Sequence, residues 1–243
     1  MVPLTEPGFA PEVPVHGYRG ESAASARPAI RPGGLTLAIS REVGARGGTI
    51  ARKVGELLAW QVFDHESIDY LLQQETARAQ LEAELQPQAQ EWLQQQRREY
   101  AHHRWLVAET GALADLLLVI AARGEAVIVG RAAGFLLPAC STLHVRIVAP
   151  LADRVAWMAQ LLRLPHSEAE REVLARESRR NRFLEKVAGV QASDVHNYDA
   201  VLNSSRLGVE ATAQILGWMV RTREATKAGE PSETGDSGLW ERS

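Results

Sequence analysis

The chain has 243 residues, with 27 Lys+Arg against 30 Asp+Glu for a formal charge of −3, and 45% of its residues are hydrophobic. That length holds one large domain or two small ones, and the near-neutral charge excludes a basic nucleic-acid coat as a global property. No apolar run approaches the roughly 20 residues that span a bilayer, and Met1 to Ala10 lacks both a basic n-region and an apolar h-region. The expected location is therefore the cytoplasm, with no membrane or nucleic-acid partner. The single cysteine, Cys140, permits no internal disulfide and is expected to be a small buried apolar residue.

In chain order, residues 1–33 hold six of the 11 prolines and no periodic apolar pattern, and read as a flexible arm. Five short runs rich in β-branched residues follow: Leu35 to Ser40, Gln61 to Asp64, Ala126 to Gly130, Leu143 to Val148 and Asp199 to Asn203. They are mostly apolar on both faces, as buried parallel strands should be. Helical spacing separates them, with Ile50, Val54, Leu57 and Leu58 in one stretch and Leu207, Ala211, Ile215 and Trp218 in another. Strands alternating with helices predict a doubly wound α/β sheet.

Between the second and third strands the alternation is interrupted. Residues 73–96 carry nine glutamines, broken by Pro87, and a second helical pattern runs through Trp92, Trp105, Leu106, Leu113 and Leu117 to Gly124. Two helices are expected here, forming either a homodimer surface or an insertion packed on its own domain. His102 and His103 are adjacent rather than four apart, so they cannot share a helix face as metal ligands. Residues 222–243 lack a helical stripe and read as a disordered tail, with Trp240 as a docking point.

The chemistry concentrates in the turn after the first strand, Ser40 to Thr49. A strand, a glycine turn and a helix N-terminus present free backbone N–H groups and the positive end of a helix dipole, which is an anion site. Gly44, Gly47 and Gly48 let the backbone approach a phosphate, and Arg41 and Arg46 add charge-assisted donors. Two readings compete at this point. Asp64 stands 64 − 44 = 20 residues after Gly44, where the ribose-binding acid of a dinucleotide fold belongs. The P-loop pattern GxxxxGK[ST] fits as imperfectly, with Gly47 at the lysine position, Gly48 next and Thr49 after it. Asp64 also precedes His65-Glu66-Ser67 and suits a helix N-cap. Thr49 or Glu42 is the candidate group near a metal ion.

Later segments decide between the two. Val127-Ile128-Val129-Gly130-Arg131, then Ala149-Pro150-Leu151, then Arg176-Glu177-Ser178-Arg179-Arg180-Asn181-Arg182, then Tyr198 to Ser205 follow Ile39-Ser40-Arg41-Glu42 in order. This series, over residues 34–221, resembles the cytidylate kinase-like family of P-loop proteins. The resemblance implies a P-loop NTPase-type three-layer fold with a five-stranded parallel sheet, a helical insertion near 65–122 and a lid near 163–188. It implies an ATP- and Mg²⁺-dependent transfer of phosphate to a nucleoside monophosphate, CMP or dCMP first. Gly44, Ala45, Arg46, Gly47, Gly48 and Thr49, with Arg41, would hold the ATP phosphates. Arg131, with Asp64, would meet the acceptor, and Arg176, Arg179, Arg180 and Arg182 would serve the lid.

Such chemistry needs positioning and charge neutralisation more than covalent help, which suits arginines. The sequence departs from an active cytidylate kinase where the loop lysine is absent, where Val129 replaces the acid ending the third strand, and where Ala132 replaces the aspartate after Gly-Arg. Arg46, or else Arg41, is expected to stand in for the lysine. A nucleotide-binding module that senses or scaffolds without turnover is the alternative. A dinucleotide-dependent oxidoreductase survives only through the Gly44 to Asp64 spacing.

Overall fold

A computed structural model describes residues 32–101 and 108–229. The strands β1 (Thr36–Arg41), β2 (Gln61–Phe63), β3 (Ala126–Val129), β4 (Thr142–Val148) and β5 (Ala200–Asn203) form one parallel sheet in the order β2-β3-β1-β4-β5. All five coincide with the predicted runs to within a residue or two, because short apolar β-branched segments suit a sheet covered on both faces. Side chains alternate along each strand. Leu37 and Ile39 of β1 and Val127 and Val129 of β3 face one core, which also holds Ile50, Val54, Leu216 and Val220. Ala38 and Ile128 face the other, packed on Leu116, Leu117 and Ile120.

The first core is closed by α1 (Gly47–Leu58) and α9 (Ser204–Gly229), the second by α5 (Ala108–Arg123) and the insertion helices. Sheet and two helical layers make the expected three-layer α/β arrangement. The insertion holds four helices rather than the expected two: α2 (His65–Gln73), α3 (Glu75–Ala83), α4 (Pro87–Ala101) and α5. The break at Gln74 lies among strong helix formers and lacks any glycine or proline to mark it, whereas Pro87 opens α4 at the first helical position. Leu81, Leu85, Trp92 and Leu93 are buried against α5 within the chain. His102, His103 and Trp105 lie outside the described residues.

After β3 come α6 (Ala133–Leu136), α7 (Leu151–Leu162) and the long α8 (His166–Ala188). A satellite cluster of Val155, Met158, Ala169 and Val173 joins α7 to α8 and takes in Val43 from the turn after β1. Helix α9 continues through residues 222–229, where the sequence suggested tail, and is interrupted at Gly208 (φ 77°, ψ 164°). The rest of that stretch, with Trp240, and nearly all of the N-terminal arm lie outside the described residues. Cys140 is exposed, not buried as expected, because it sits in the turn just before β4. No helix among the described residues is long and apolar enough to cross a membrane.

Candidate active site

The carboxyl ends of β1, β3 and β4 meet at one edge of the sheet, where open α/β folds bind ligands. Past Arg41 the chain turns through Glu42, Val43, Gly44, Ala45 and Arg46 and enters α1 at Gly47. Gly44 has φ +85°, and a Cβ there would stand 2.6 Å from the Arg154 carbonyl oxygen, so the position demands glycine. Ile50 N–H donates to Arg46 O at 3.0 Å and is the first to close a helical turn. The N–H groups of Gly47, Gly48 and Thr49 therefore have no partner among the described residues, and a Cβ on Gly48 would meet nothing within 4 Å. This open helix end is an anion cradle.

Beside it lies a cleft of ≈ 70 Å³ whose lining includes Arg41, Arg131, Arg146 and Arg180, with Glu177 as its one carboxylate. Arg41 runs beneath the helix end. A Cβ on Gly47 would come within 2.8 Å of the Arg41 Cβ and Cγ, and the Arg41 guanidinium fills the space left by the absent side chain of Gly130. Burial, then the neighbouring Arg180, pushes the Arg41 guanidinium down to about 9. Burial lowers Arg180 as well, and its Nη1 has no hydrogen-bond partner. Arg131 sits in a run of three left-handed residues, Gly130 (φ 81°), Arg131 (φ 54°) and Ala132 (φ 56°), strain of the kind that collects at functional sites. Its Nη2 pairs with Asp69 of α2, while its Nε is buried without a partner. Clustered guanidinium groups with orphaned donors form a site electrostatically incomplete without an anion.

Sheet register delivers the fourth arginine. Ser40 of β1 lies opposite Arg146 of β4, and Arg146, 9% exposed, donates from Nη1 to the Tyr198 hydroxyl at 3.2 Å. Tyr198 in turn donates to Ala192 O at 2.9 Å. Next along β4, His144 Nε2 lies 2.9 Å from Ser40 Oγ, and its ring packs edge-on against Phe135 with centroids 4.6 Å apart.

Burial pushes His144 from 6.5 down to about 4, with Arg146 adding to the effect and Asp199 opposing it. A base depressed on folding contributes stability that is complete above the unfolded value near 6.5. Below that, the unfolded chain takes a proton that the folded chain refuses, so stability falls between about pH 6.5 and 4. The loss is on the order of 3 kcal/mol. Urea midpoints at pH 7.5 and 4.5 check this, and His144→Phe should flatten that part of the profile. An unchanged slope in the variant would assign the loss to the carboxylates.

The remaining candidates are dispersed. Arg46 (φ 58°) lies immediately before α1, outside the cleft, with its guanidinium 4.2 Å from the centroid of the Trp157 ring. Of the five arginines on α8, four of them predicted for the lid, only Arg180 lines the cleft. Arg176 donates to Glu172 at 2.6 Å, Arg179 lies 3.9 Å from the same carboxylate, and Arg179 and Arg182 are exposed. Helical spacing explains this, since residues 177, 180 and 184 share one face while 179 and 182 turn away. Asp64 accepts from Ser67 N–H at 3.0 Å as the N-cap of α2, and that bond holds its carboxyl below the usual range. Glu42 Oε2 accepts from Ala149 N–H at 3.0 Å and lies 3.4 Å from Arg154 Nε, while Oε1 faces Arg146 at 3.8 Å. Both of its oxygens already face donors, an arrangement that fits a structural role better than a metal ligand.

Arg146, Glu177, Tyr198 and Asp69 are cleft or cleft-contacting residues that sequence reasoning passed over. One signal was available, because Arg146 is a full charge inside a buried strand whose other residues are apolar apart from Thr142 and His144. The Asn203-Ser204-Ser205 segment is structural. Asn203 Oδ1 accepts from Ser205 N–H and Arg206 N–H at 3.1 Å each, and Ser204 Oγ lies 2.9 Å from Ala45 O, bracing the turn.

For ATP the fit is good, since the open helix end and the orphaned Arg131 and Arg180 donors suit phosphate oxygens. No group of three His, Cys, Asp or Glu among the described residues could cage a metal ion. Mg²⁺ needs no such cage when nucleotide phosphates and water supply most ligands, and the Thr49 hydroxyl at the helix start is free for one contact.

Sheet order, glycine turn and open helix end make a P-loop NTPase-type three-layer fold. Residues 36–206 match the family model of the cytidylate kinase-like family, and the chain belongs to that family. Over 105 residues it is 27% identical to a cytidylate kinase from Ignicoccus hospitalis, a match covering 43% of this chain and 61% of that relative's length. An uncharacterized protein from Eubacterium ventriosum superposes with a TM-score of 0.59 at 14% identity, over 77% of this chain and 98% of that one. A shikimate kinase from Acinetobacter baumannii in complex with shikimate superposes with a TM-score of 0.42 at 12% identity, over 79% and 95% of the two chains.

Proposed function

We propose that the protein is an ATP-dependent phosphotransferase that passes the γ-phosphate of ATP to a nucleoside monophosphate, with CMP or dCMP as the first acceptor to try. The observation that carries this reading is the pair of buried, unpartnered guanidinium donors, Arg131 Nε and Arg180 Nη1, in a cleft beside an open helix N-terminus. Bound ATP-Mg²⁺ would supply the phosphoryl group and the metal's charge neutralisation. The N–H groups of Gly47, Gly48 and Thr49 hold donor phosphates. Arg41, running under Gly47, supplies the cation that the missing lysine would have given, a role for which Arg46 on Trp157 is badly placed. Arg131 orients the acceptor phosphate, and Arg180 neutralises charge that develops during transfer.

Two observations favour binding without turnover: Gly47 stands at the lysine position, and buried Val129 ends β3 where an acid would otherwise stand. Both readings meet in a single experiment, coupled ADP release with ATP-Mg²⁺ and a panel of monophosphates, run beside thermal melts with the same ligands. The kinase reading expects ADP release that depends on one acceptor. A melting shift with ATP, worth about 2.7 kcal/mol at 100-fold over the dissociation constant, with no ADP formed under any condition would replace it by the binding-module reading.

A further inference from the structure

Glu177 is the one carboxylate in the arginine-lined cleft, yet its side chain is engaged at the phosphate loop. Its Oε2 accepts from the Val43 N–H at 2.7 Å and from Arg154 Nη1 at 3.2 Å. Arg154, whose side chain is 11% exposed, also donates from Nη1 to Val43 O at 3.1 Å and from Nε to Ala149 O at 3.0 Å. One guanidinium thus joins three elements: the turn after β1, the end of β4 and helix α8. The fit is tight on the other side too, because the Arg154 backbone and Cβ occupy the space that a side chain on Gly44 would need. Three residues further along α8, on the same face, is Arg180 with its unpartnered Nη1.

We propose that Glu177, clasped by the Val43 N–H and Arg154, is a positioning residue that docks α8 on the phosphate loop and so sets Arg180 over the cleft. The separation along the helix from Glu177 to Arg180 is only about 4.5 Å, so a pin at one residue fixes the other closely. Without the pin, α8 is held by the small Val43, Val155, Met158, Ala169 and Val173 cluster at its N-terminal half and by Phe183, Leu184 and Val187, which pack on the main core beyond Arg180. Productive geometry tolerates about 0.5 Å of misplacement, which non-directional apolar packing on either side of Arg180 does not guarantee. The kinetic part of this proposal rests on the phosphotransferase reading; the docking itself does not.

The test uses the full chain with Glu177→Ala and Glu177→Gln, and with Arg154→Lys as a variant that keeps the charge. Amide hydrogen exchange is read at Val43 and along residues 166–188, and kcat and KM for ATP are read in the ADP-release assay. In Glu177→Ala the Val43 amide should exchange roughly tenfold faster, and the amides around Arg180 with it. A misplaced Arg180 should lower kcat by up to about 100-fold and leave the KM for ATP nearly unchanged. Glu177→Gln, which keeps an acceptor for Val43 N–H but loses the ion pair, should fall between wild type and Ala in both readouts. A merely structural role would lower the melting temperature without that kcat-against-KM split. Unchanged exchange in Glu177→Ala, or in Glu177→Gln and Arg154→Lys if the alanine variant does not fold, overturns the docking. Faster exchange with unchanged kcat overturns the link to Arg180. If the wild type releases no ADP, the kinase reading fails while exchange still decides whether Glu177 docks the helix.

Discussion

Arg180→Ala is expected to lower ADP release by roughly 100- to 1,000-fold, the usual loss for one preorganised donor to transition-state charge, while the melting temperature holds or rises. The two effects share one cause. Burial and, more weakly, the neighbouring Arg176 disfavour the charged form of Arg180, with Glu177 opposing them, and Arg180 in turn depresses Arg41. In the free protein this guanidinium is a buried charge that Glu177 offsets only in part, so removing it relieves repulsion, and an anionic ligand completes its compensation. Arg180→Lys should recover little of the rate, because a point charge lacks the planar fork. Arg179→Ala and Arg182→Ala, on exposed faces of α8, should stay within about twofold of wild type, as surface positions usually do. Equal losses at residues 179, 180 and 182 would mean that the helix acts through net charge rather than through one placed side chain. Turnover assays and thermal melts on these four variants decide it.

The contrast between Arg180 and its neighbours shows what could be read from sequence. The run Arg176 to Arg182 marks a basic segment, but which arginine faces inward depends on where α8 lies against the sheet. The central strands β1, β3 and β4 were legible because burial on both faces writes itself into composition, the partly exposed edge strands β2 and β5 through their short apolar runs, and the glycine turn because open backbone near an anion needs glycine. The four-helix insertion was half legible: Pro87 announces α4, whereas Gln74 breaks α2 from α3 among residues that all favour helix. Arg146, Tyr198 and Glu177 meet in the cleft through β1–β4 register and helix docking, relations between segments more than a hundred residues from the turn they complete. Arg41 and Arg46 flank the same turn and look equivalent in sequence. They separate because Arg41 ends a strand and follows it under α1, while Arg46 is the left-handed residue just before the helix and turns out onto Trp157.

That separation yields the second large expected effect. Gly130→Ala places a Cβ on the Arg41 guanidinium, overlapping Nη1 and 2.9 Å from Cζ, at a backbone position with φ +81°. The left-handed backbone costs about 1–2 kcal/mol for an L-residue. The overlap falls on the end of a flexible side chain, so the chain should still fold, with a further loss of roughly 1–3 kcal/mol as in other overpacked sites. Arg41 cannot keep its slot between Gly47 and Gly130. Since its side chain runs beneath Gly47, at the vacant lysine position, ATP affinity should fall about as far as in Arg41→Ala. The double variant Gly130→Ala/Arg41→Ala should bind ATP no more weakly than Arg41→Ala alone, because the second change removes the group that the first displaces. Calorimetric titration of ATP into the three proteins reads this directly. Additive losses would show that Gly130 serves the nucleotide by its own close approach, and would move the lysine's role away from Arg41.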